Sequence, residues 1–285
     1  MNIRGDWELR ARMSLVMLVL LVFYALFTGV VALAIESLII ALVVMGILIG
    51  LQLWLSDSLA LRSMKAEPAD PEDYPELHAI VQRTSQQADI PKPNVTVSPF
   101  STPNAFAVGI RQKSATITVT KGLLRTLDED ELEAVIAHEV SHIKNRDVLV
   151  MTIASFFTTL TFTVVRWGFL ADTDDARATL IALLISLIMG IVSWFMVRAL
   201  SRYREYAADR GAAIITGKPA ALASALSSID ETANAIPEED LREAKNGPSA
   251  LFFFTNDEFG SLFSTHPPAE ERVERLRDLQ TELNQ

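Results

Sequence analysis

The stretch DEDELEAVIAHEVSHIKN, residues 128–145, decides how the rest of this 285-residue chain is read. Inside it lies His138-Glu139-Val140-Ser141-His142, an H-E-x-x-H pattern. On a helix, positions i and i+4 share one face, so two imidazoles spaced this way reach one ion together. Glu139 then stands beside the ion's open position, where a carboxylate serves as a base toward water. The flanks predict the helix itself. Asp128 suits the N-cap, and Glu129, Asp130, Glu131 and Glu133 load the first turns with charge of the sign the dipole favours. Leu132, Val135, Ile136, Val140 and Ile143 form an apolar stripe, which Asn145-Arg146-Asp147 breaks. A surface helix carrying two histidines by chance is the plainer alternative, but the whole chain has only four.

Outward from this helix the chain turns apolar. Mean hydropathy is positive for the chain as a whole. Spans are expected at about 13–34 and 37–56, with Glu36 alone between them, each close to the ~20 residues that cross a bilayer as a helix. A cleaved signal peptide does not explain the first, which is too long and is followed at once by the second. A further pair is expected at about 148–168 and 178–197, the uncharged stretch 148–165 of the earlier member being short, Thr-rich and followed by Arg166. The sequence therefore predicts two transmembrane hairpins. Arg4, Arg10 and Arg12 precede the first hairpin, and Arg62 and Lys65 follow it. Lys144 and Arg146 precede the second; Arg198, Arg202 and Arg204 follow it, while Asp172, Asp174 and Asp175 sit in its connection. The positive-inside rule then puts both termini and the polar segments in the cytoplasm of a multi-pass cell-membrane protein.

The organisation is accordingly 1–56 for the N-terminal segment and first hairpin, 57–147 for one polar part, 148–200 for the second hairpin and 201–285 for the other polar part. Together the polar parts have about 180 residues, enough for one domain with its own core. A helix is expected from about Glu76 to Ala88, and strands at Val95-Thr96-Val97 and Thr116-Ile117-Thr118-Val119, the latter running into Lys121-Gly122-Leu123 and the H-E-x-x-H helix. Later helices are expected at 198–216, 218–233 and 269–283, with an irregular Phe-rich stretch at 251–263. The fold class is α+β, mainly helical. Absence of cysteine removes disulfides, thiolate ligands and a cysteine nucleophile. A net charge of −10 argues against a nucleic-acid partner.

A third metal ligand is needed. Glu205 is one candidate, in Ser201-Arg202-Tyr203-Arg204-Glu205-Tyr206-Ala207-Ala208-Asp209. Asp209 falls on the same helical face, where it suits the outer role of taking a ligand histidine's other N–H. A solvated Arg/Glu-rich helix end explains that spacing equally well. His266 in a Ser-Thr-His-Pro-Pro loop and His78 on a surface helix are rivals, the second the weaker.

With these pieces in order, the chain resembles the HtpX-type membrane zinc metalloproteases, relatives of the CAAX prenyl proteases and the Oma-type proteases. The matching segments are the N-terminal hairpin, Pro103-Asn104-Ala105-Phe106-Ala107, Val119 through Leu124, the H-E-x-x-H helix, Ser201 through Asp209, and Thr265-His266-Pro267-Pro268. The resemblance implies a zincin-like protease domain holding one Zn2+ on His138, His142 and Glu205, with Glu139 as base. It implies a place for His266 at the oxyanion or substrate, and for Asn104, Ala105 and Phe106 along the substrate cleft. An extended substrate would pair with an edge strand near 104–108. The implied activity is endopeptidase cleavage of unfolded or damaged membrane proteins for quality control, at the lipid bilayer and beside partner proteases in the membrane. Two alternatives remain: a site-specific processing enzyme of the CAAX kind, and a membrane scaffold with structural zinc.

Overall fold

The computed structural model describes residues 7–35, 38–168, 176–235 and 267–283. Arg4, the Glu36 turn, the acidic connection at 172–175, the Phe-rich stretch at 251–263 and His266 lie outside the described residues. The chain divides into two compact units, one of Leu55–Leu149 with Arg204–Gln285, the other of Arg4–Trp54 with Val150–Tyr203.

The first unit is built on a four-stranded sheet. Strands β1 (Glu67–Pro68), β2 (Asn94–Ser98), β3 (Ala105–Val108) and β4 (Thr116–Thr120) lie in the order β1-β2-β4-β3. β2 and β4 run parallel, with Val95 opposite Ile117 and Val97 opposite Val119. β3 is antiparallel to β4 and pairs Ala105 with Val119. Side chains alternate between faces along each strand. Val95, Val97, Ile117, Val119 and Ala105 therefore enter the main core together. The opposite face carries the Thr96 and Thr118 hydroxyls, hydrogen-bonded at 2.7 Å. Phe106 and Val108 share that second face and pack with Ala60 and Met64. β1 is a strand the sequence did not reveal; at two residues and with a proline it has no periodicity to read.

Helices α1 (Trp7–Ile35) and α2 (Leu38–Ser63) open the chain, and α3 (Pro75–Gln87) and α4 (Lys121–Thr126) belong to the first unit. Thr120 ends β4 and caps α4: its hydroxyl accepts from the Leu123 N–H at 3.1 Å. The same oxygen accepts from the Asn104 N–H at 2.9 Å and donates to the Thr102 carbonyl, which fixes where β3 begins. α4 is a helix of its own, separate from the one that follows. Helix α5 (Glu129–Asn145) starts on a capping box: the Glu131 N–H donates to Asp128 at 2.8 Å, and the Asp128 N–H to Glu131 at 3.2 Å. Both faces of α5 are occupied. Val135, Ile136 and Val140 join Ile80 and Val81 of α3 in the core.

Glu133 has a different fate from that of a solvated first-turn charge. It is buried and takes Arg83 of α3 at 2.6 Å and Lys218 at 3.2 Å. Burial works against its charge, but the Arg83 and Lys218 bonds prevail and hold the carboxyl below its ordinary range. Beyond α5 come α6 (Asp147–Gly168), α7 (Ala176–Thr216), α8 (Pro219–Ala235) and α9 (Ala269–Leu283). Leu222, Leu226 and Ile229 of α8, with Val273 and Leu276 of α9, close the core.

The second unit consists of α1, α2 up to Trp54, α6 from Val150 and α7 up to Tyr203. Leu20, Ala154 and Leu200 pack together from three of these helices, and Met45 with Phe156 joins the fourth. Around this interior the helices expose apolar side chains, Leu21 at 63%, Ile39 at 75% and Ile188 at 61%. Helices apolar all round are at home in lipid, not in water. Among the described residues, Leu42–Ser63 and Leu183–Thr216 are long and apolar enough to cross a bilayer; Ala11–Leu26 and Asp147–Phe156 are shorter apolar helices. α7 passes from one unit to the other without a break, where the sequence suggested a new helix near 198. Arg198, Arg202 and Arg204 change the surroundings a helix prefers, yet arginine is itself a strong helix former.

Candidate metal centre

α5 presents His138 and His142 on one face, with Nε2 atoms 3.0 Å apart and rings at 88°. Glu205, on the stretch of α7 inside the first unit, faces both. Its carboxylate lies 3.5 Å from His138 Nε2 and 3.6 Å from His142 Nε2. The three residues form a group able to hold a metal ion. Glu139, next along α5, is only 3% exposed.

Each imidazole has an aspartate at its Nδ1. Asp209 takes His138 Nδ1 at 3.0 Å, and Asp147 takes His142 Nδ1 at 2.6 Å. A carboxylate partner fixes the proton on Nδ1 and leaves the Nε2 lone pair for a metal. Arg272 of α9 grips Asp209 with two bonds, Nε to Oδ2 at 2.9 Å and Nη2 to Oδ1 at 2.6 Å, and its Nη1 lies 3.5 Å from Glu205. Arg204 contacts Asp147.

The donor set fits a divalent ion on two counts. A tetrahedral ion with bonds of about 2.0–2.1 Å separates its ligand atoms by about 3.3 Å. The two Nε2 atoms are 3.0 Å apart, and Glu205 approaches them through different oxygens, Oε2 at 3.5 Å from His138 and Oε1 at 3.6 Å from His142, each near that value. Glu139, Asp147, Glu205 and Asp209 are buried carboxylates, and Arg204 and Arg272 buried guanidiniums. With neutral imidazoles this leaves two negative charges, which a dication balances. In the metal-free protein a proton offsets part of that charge. Burial opposes it on His138, but the neighbouring Asp209 and Glu205 carboxylates prevail and push that imidazole up to about 9. Burial and the His138 charge hold His142 down to about 4.

α5 and α7 approach closely for a local reason. A Cβ on Gly211 would stand 2.0 Å from Ser141 Oγ and 2.9 Å from Ser141 Cβ. Ser141 lies between the two histidines on α5, so hydrogen at position 211 sets how near Glu205 comes. Gly211→Ala is expected to cost about 1–3 kcal/mol by overpacking. Thermal unfolding in detergent checks this; Ser141→Gly in the same chain should recover much of the loss, and an unchanged Tm for Gly211→Ala would rule out the contact.

Of the remaining sequence candidates, His266 lies outside the described residues. His78 is remote from this group, bonded to the Ala69 carbonyl at 3.0 Å and to Lys92 at 3.2 Å. Asn104, Ala105 and Phe106 are buried at the start of β3, and the Phe106 ring packs with Ala60 and Met64. Asp147, Arg204 and Arg272 were not foreseen. Arg272 left one trace in the sequence: it shares a helical stripe with Leu276, an odd place for a solvated charge.

Residues 71–280 match peptidase family M48. A protease HtpX homologue of Moorella thermoacetica is 42% identical over 291 residues, covering 99% of this chain and 97% of that one. A protease HtpX homologue of Streptomyces coelicolor is 39% identical over 292 residues, covering 99% and 96%. A crystal structure of S. mikatae Ste24p is similar at a TM-score of 0.46 and 19% identity, over 80% of this chain and 58% of that one. The scaffold alternative falls here, since the match to proteases runs nearly the full length of both chains. With a group able to hold a metal inside the matched region, and two helices among the described residues long and apolar enough to cross a bilayer, this membrane-bound metalloprotease belongs to peptidase family M48.

Proposed function

We propose that the chain is a zinc endopeptidase that cuts misfolded or damaged membrane proteins at the cytoplasmic face, anchored by two hairpins with both termini inside. The observation that carries it is the His138, His142 and Glu205 group beside the buried Glu139. Two imidazoles and one carboxylate are the ligand types of catalytic zinc sites that keep one position open. Bound zinc supplies a Lewis acid that polarises the scissile carbonyl and acidifies the attacking water. A Glu139 carboxylate oxygen accepts that water's proton and returns it to the leaving nitrogen. His266, in the sequence Thr265-His266-Pro267-Pro268, donates to the developing oxyanion. The basic residues flanking the spans support the inward orientation.

β3 supports the choice of substrate. It is the edge strand of the sheet, paired with β4 on one side, and its side chains Ala105 and Phe106 are packed inward. Substrate pairing along the edge of β3 would be made by backbone, which pairs with extended polypeptide whatever its sequence. Such recognition suits many cuts in unfolded protein, with partner proteases in the membrane sharing the clearance.

The test is to purify the protein in detergent with a chelator, add Zn2+, and follow casein by gel and mass spectrometry. Cuts at many sites that vanish on chelation are the expected result. One defined product would move the assignment to a processing enzyme of the CAAX kind. No cleavage by zinc-loaded, folded protein would overturn the broad-specificity reading.

A further inference from the structure

We propose that Asp147 and Arg204 are positioning residues for the metal, forming with His142 a relay that parallels Arg272, Asp209 and His138. The proposal rests on the metal site described above and adds to it three residues without an assigned role: Asp147, Arg204 and Arg272. In each relay a buried arginine holds an aspartate, and the aspartate holds the Nδ1 of one imidazole. His142 meets Asp147 Oδ2 at 2.6 Å while Arg204 Nη2 contacts Asp147 Oδ1. His138 meets Asp209 Oδ1 at 3.0 Å while Arg272 binds both Asp209 oxygens.

Helical spacing does not produce the second relay. Asp147 follows His142 by five residues and stands on the next helix. It arrives there because Arg146 takes a left-handed conformation, φ 57°, so α5 ends and α6 starts within one residue. The sharp turn swings the first carboxylate of α6 back onto His142. Arg204 then reaches it from α7, one position before the proposed third ligand Glu205. One residue pair thus ties together the end of α5, the start of α6 and the ligand-bearing turn of α7.

Burial argues that this is more than a surface ion pair. Arg204 is 5% exposed and Arg272 1%. A buried guanidinium costs several kcal/mol in desolvation, and an apolar side chain would hold the helices together without that cost. A guanidinium adds what an apolar side chain lacks: it holds the aspartate in one orientation, Arg272 through both Asp209 oxygens and Arg204 through Asp147 Oδ1 while Oδ2 meets His142, and so sets the plane of the imidazole beyond.

The experiment measures metal affinity in full-length protein in detergent, by competition of Zn2+ with a chromophoric chelator, and records the d–d spectrum of the Co2+ form. The variants are Asp147→Ala, Asp147→Asn, Arg204→Met and Arg204→Lys. Arg83→Met is the control, since it breaks an arginine–carboxylate pair, half-exposed on the arginine side, to Glu133 away from the metal. Asp147→Ala and Arg204→Met should weaken Zn2+ binding about 10–100-fold and shift the Co2+ spectrum. Arg204→Lys, which keeps the charge, should recover part of the loss, and Arg83→Met should lower Tm with metal affinity unchanged. If Asp147→Ala does not fold, Asp147→Asn decides the matter, because it keeps an acceptor and removes the charge that the arginine clamps. Wild-type affinity and spectrum in the folded Asp147 and Arg204 variants would overturn the proposal. Failure of the wild type to bind one Zn2+ or Co2+ would instead overturn the metal-site reading beneath it.

Discussion

Glu139→Gln is expected to lower casein hydrolysis by about 10²–10⁴-fold while metal content stays at that of the wild type. The substitution preserves size and removes the one property the proposed mechanism needs, a carboxylate that accepts a proton. Neither imidazole loses its aspartate, and Glu205 keeps its place, so metal binding should not change. Metal analysis by mass spectrometry and initial cleavage rates on the same preparation check both halves. Activity within tenfold of wild type would remove Glu139 as the base and leave the water without an identified acceptor.

Glu205→Ala is expected to act at an earlier step, by loss of the ion. It should weaken Zn2+ binding by more than the ~10–100-fold that residues touching a ligand are worth, and activity should fall with occupancy. Raising Zn2+ should restore part of the rate, which separates this variant from Glu139→Gln. Asp209 and Arg272 stay in place, so the histidine pair remains aimed, and the fold should survive below the temperature at which the wild type unfolds. Unchanged affinity would hand the third position to another donor, with His266 the first to examine.

The parts of this protein legible in the sequence are those with a short period or a local partner. The α5 helix announced itself through Asp128 and Glu131, four residues of chain that make a complete cap. Two helices long and apolar enough to cross a bilayer, Leu42–Ser63 and Leu183–Thr216, needed only length and composition. Glu205 was half legible: its four-residue spacing to Asp209 pointed at a metal, but an ordinary charged helix end has the same spacing. Asp147 and Arg272 were illegible for a common reason. Each meets its partner through a turn or a helix crossing that no periodicity encodes, Asp147 through the left-handed Arg146 and Arg272 across 63 residues to Asp209. Gly211 was hidden in the same way, since its role depends on which side chain of α5 lies opposite. Phe106 sat in a segment expected at the substrate, yet its ring turned to Ala60 and Met64 because alternation along β3 put it on that face.

The order of the site residues along the chain has a consequence for how the protein is made. His138, Glu139 and His142 are synthesised first, Glu205 only after the whole of α6 and most of α7, and Arg272 later still. At about 5–20 residues per second, roughly 3–12 s of translation separate the histidines from the glutamate. During that time the ribosome carries a chain with two donors and a base but without the glutamate that completes the metal-binding group. The three residues able to hold a metal ion are therefore present together only once Glu205 of α7 has been made.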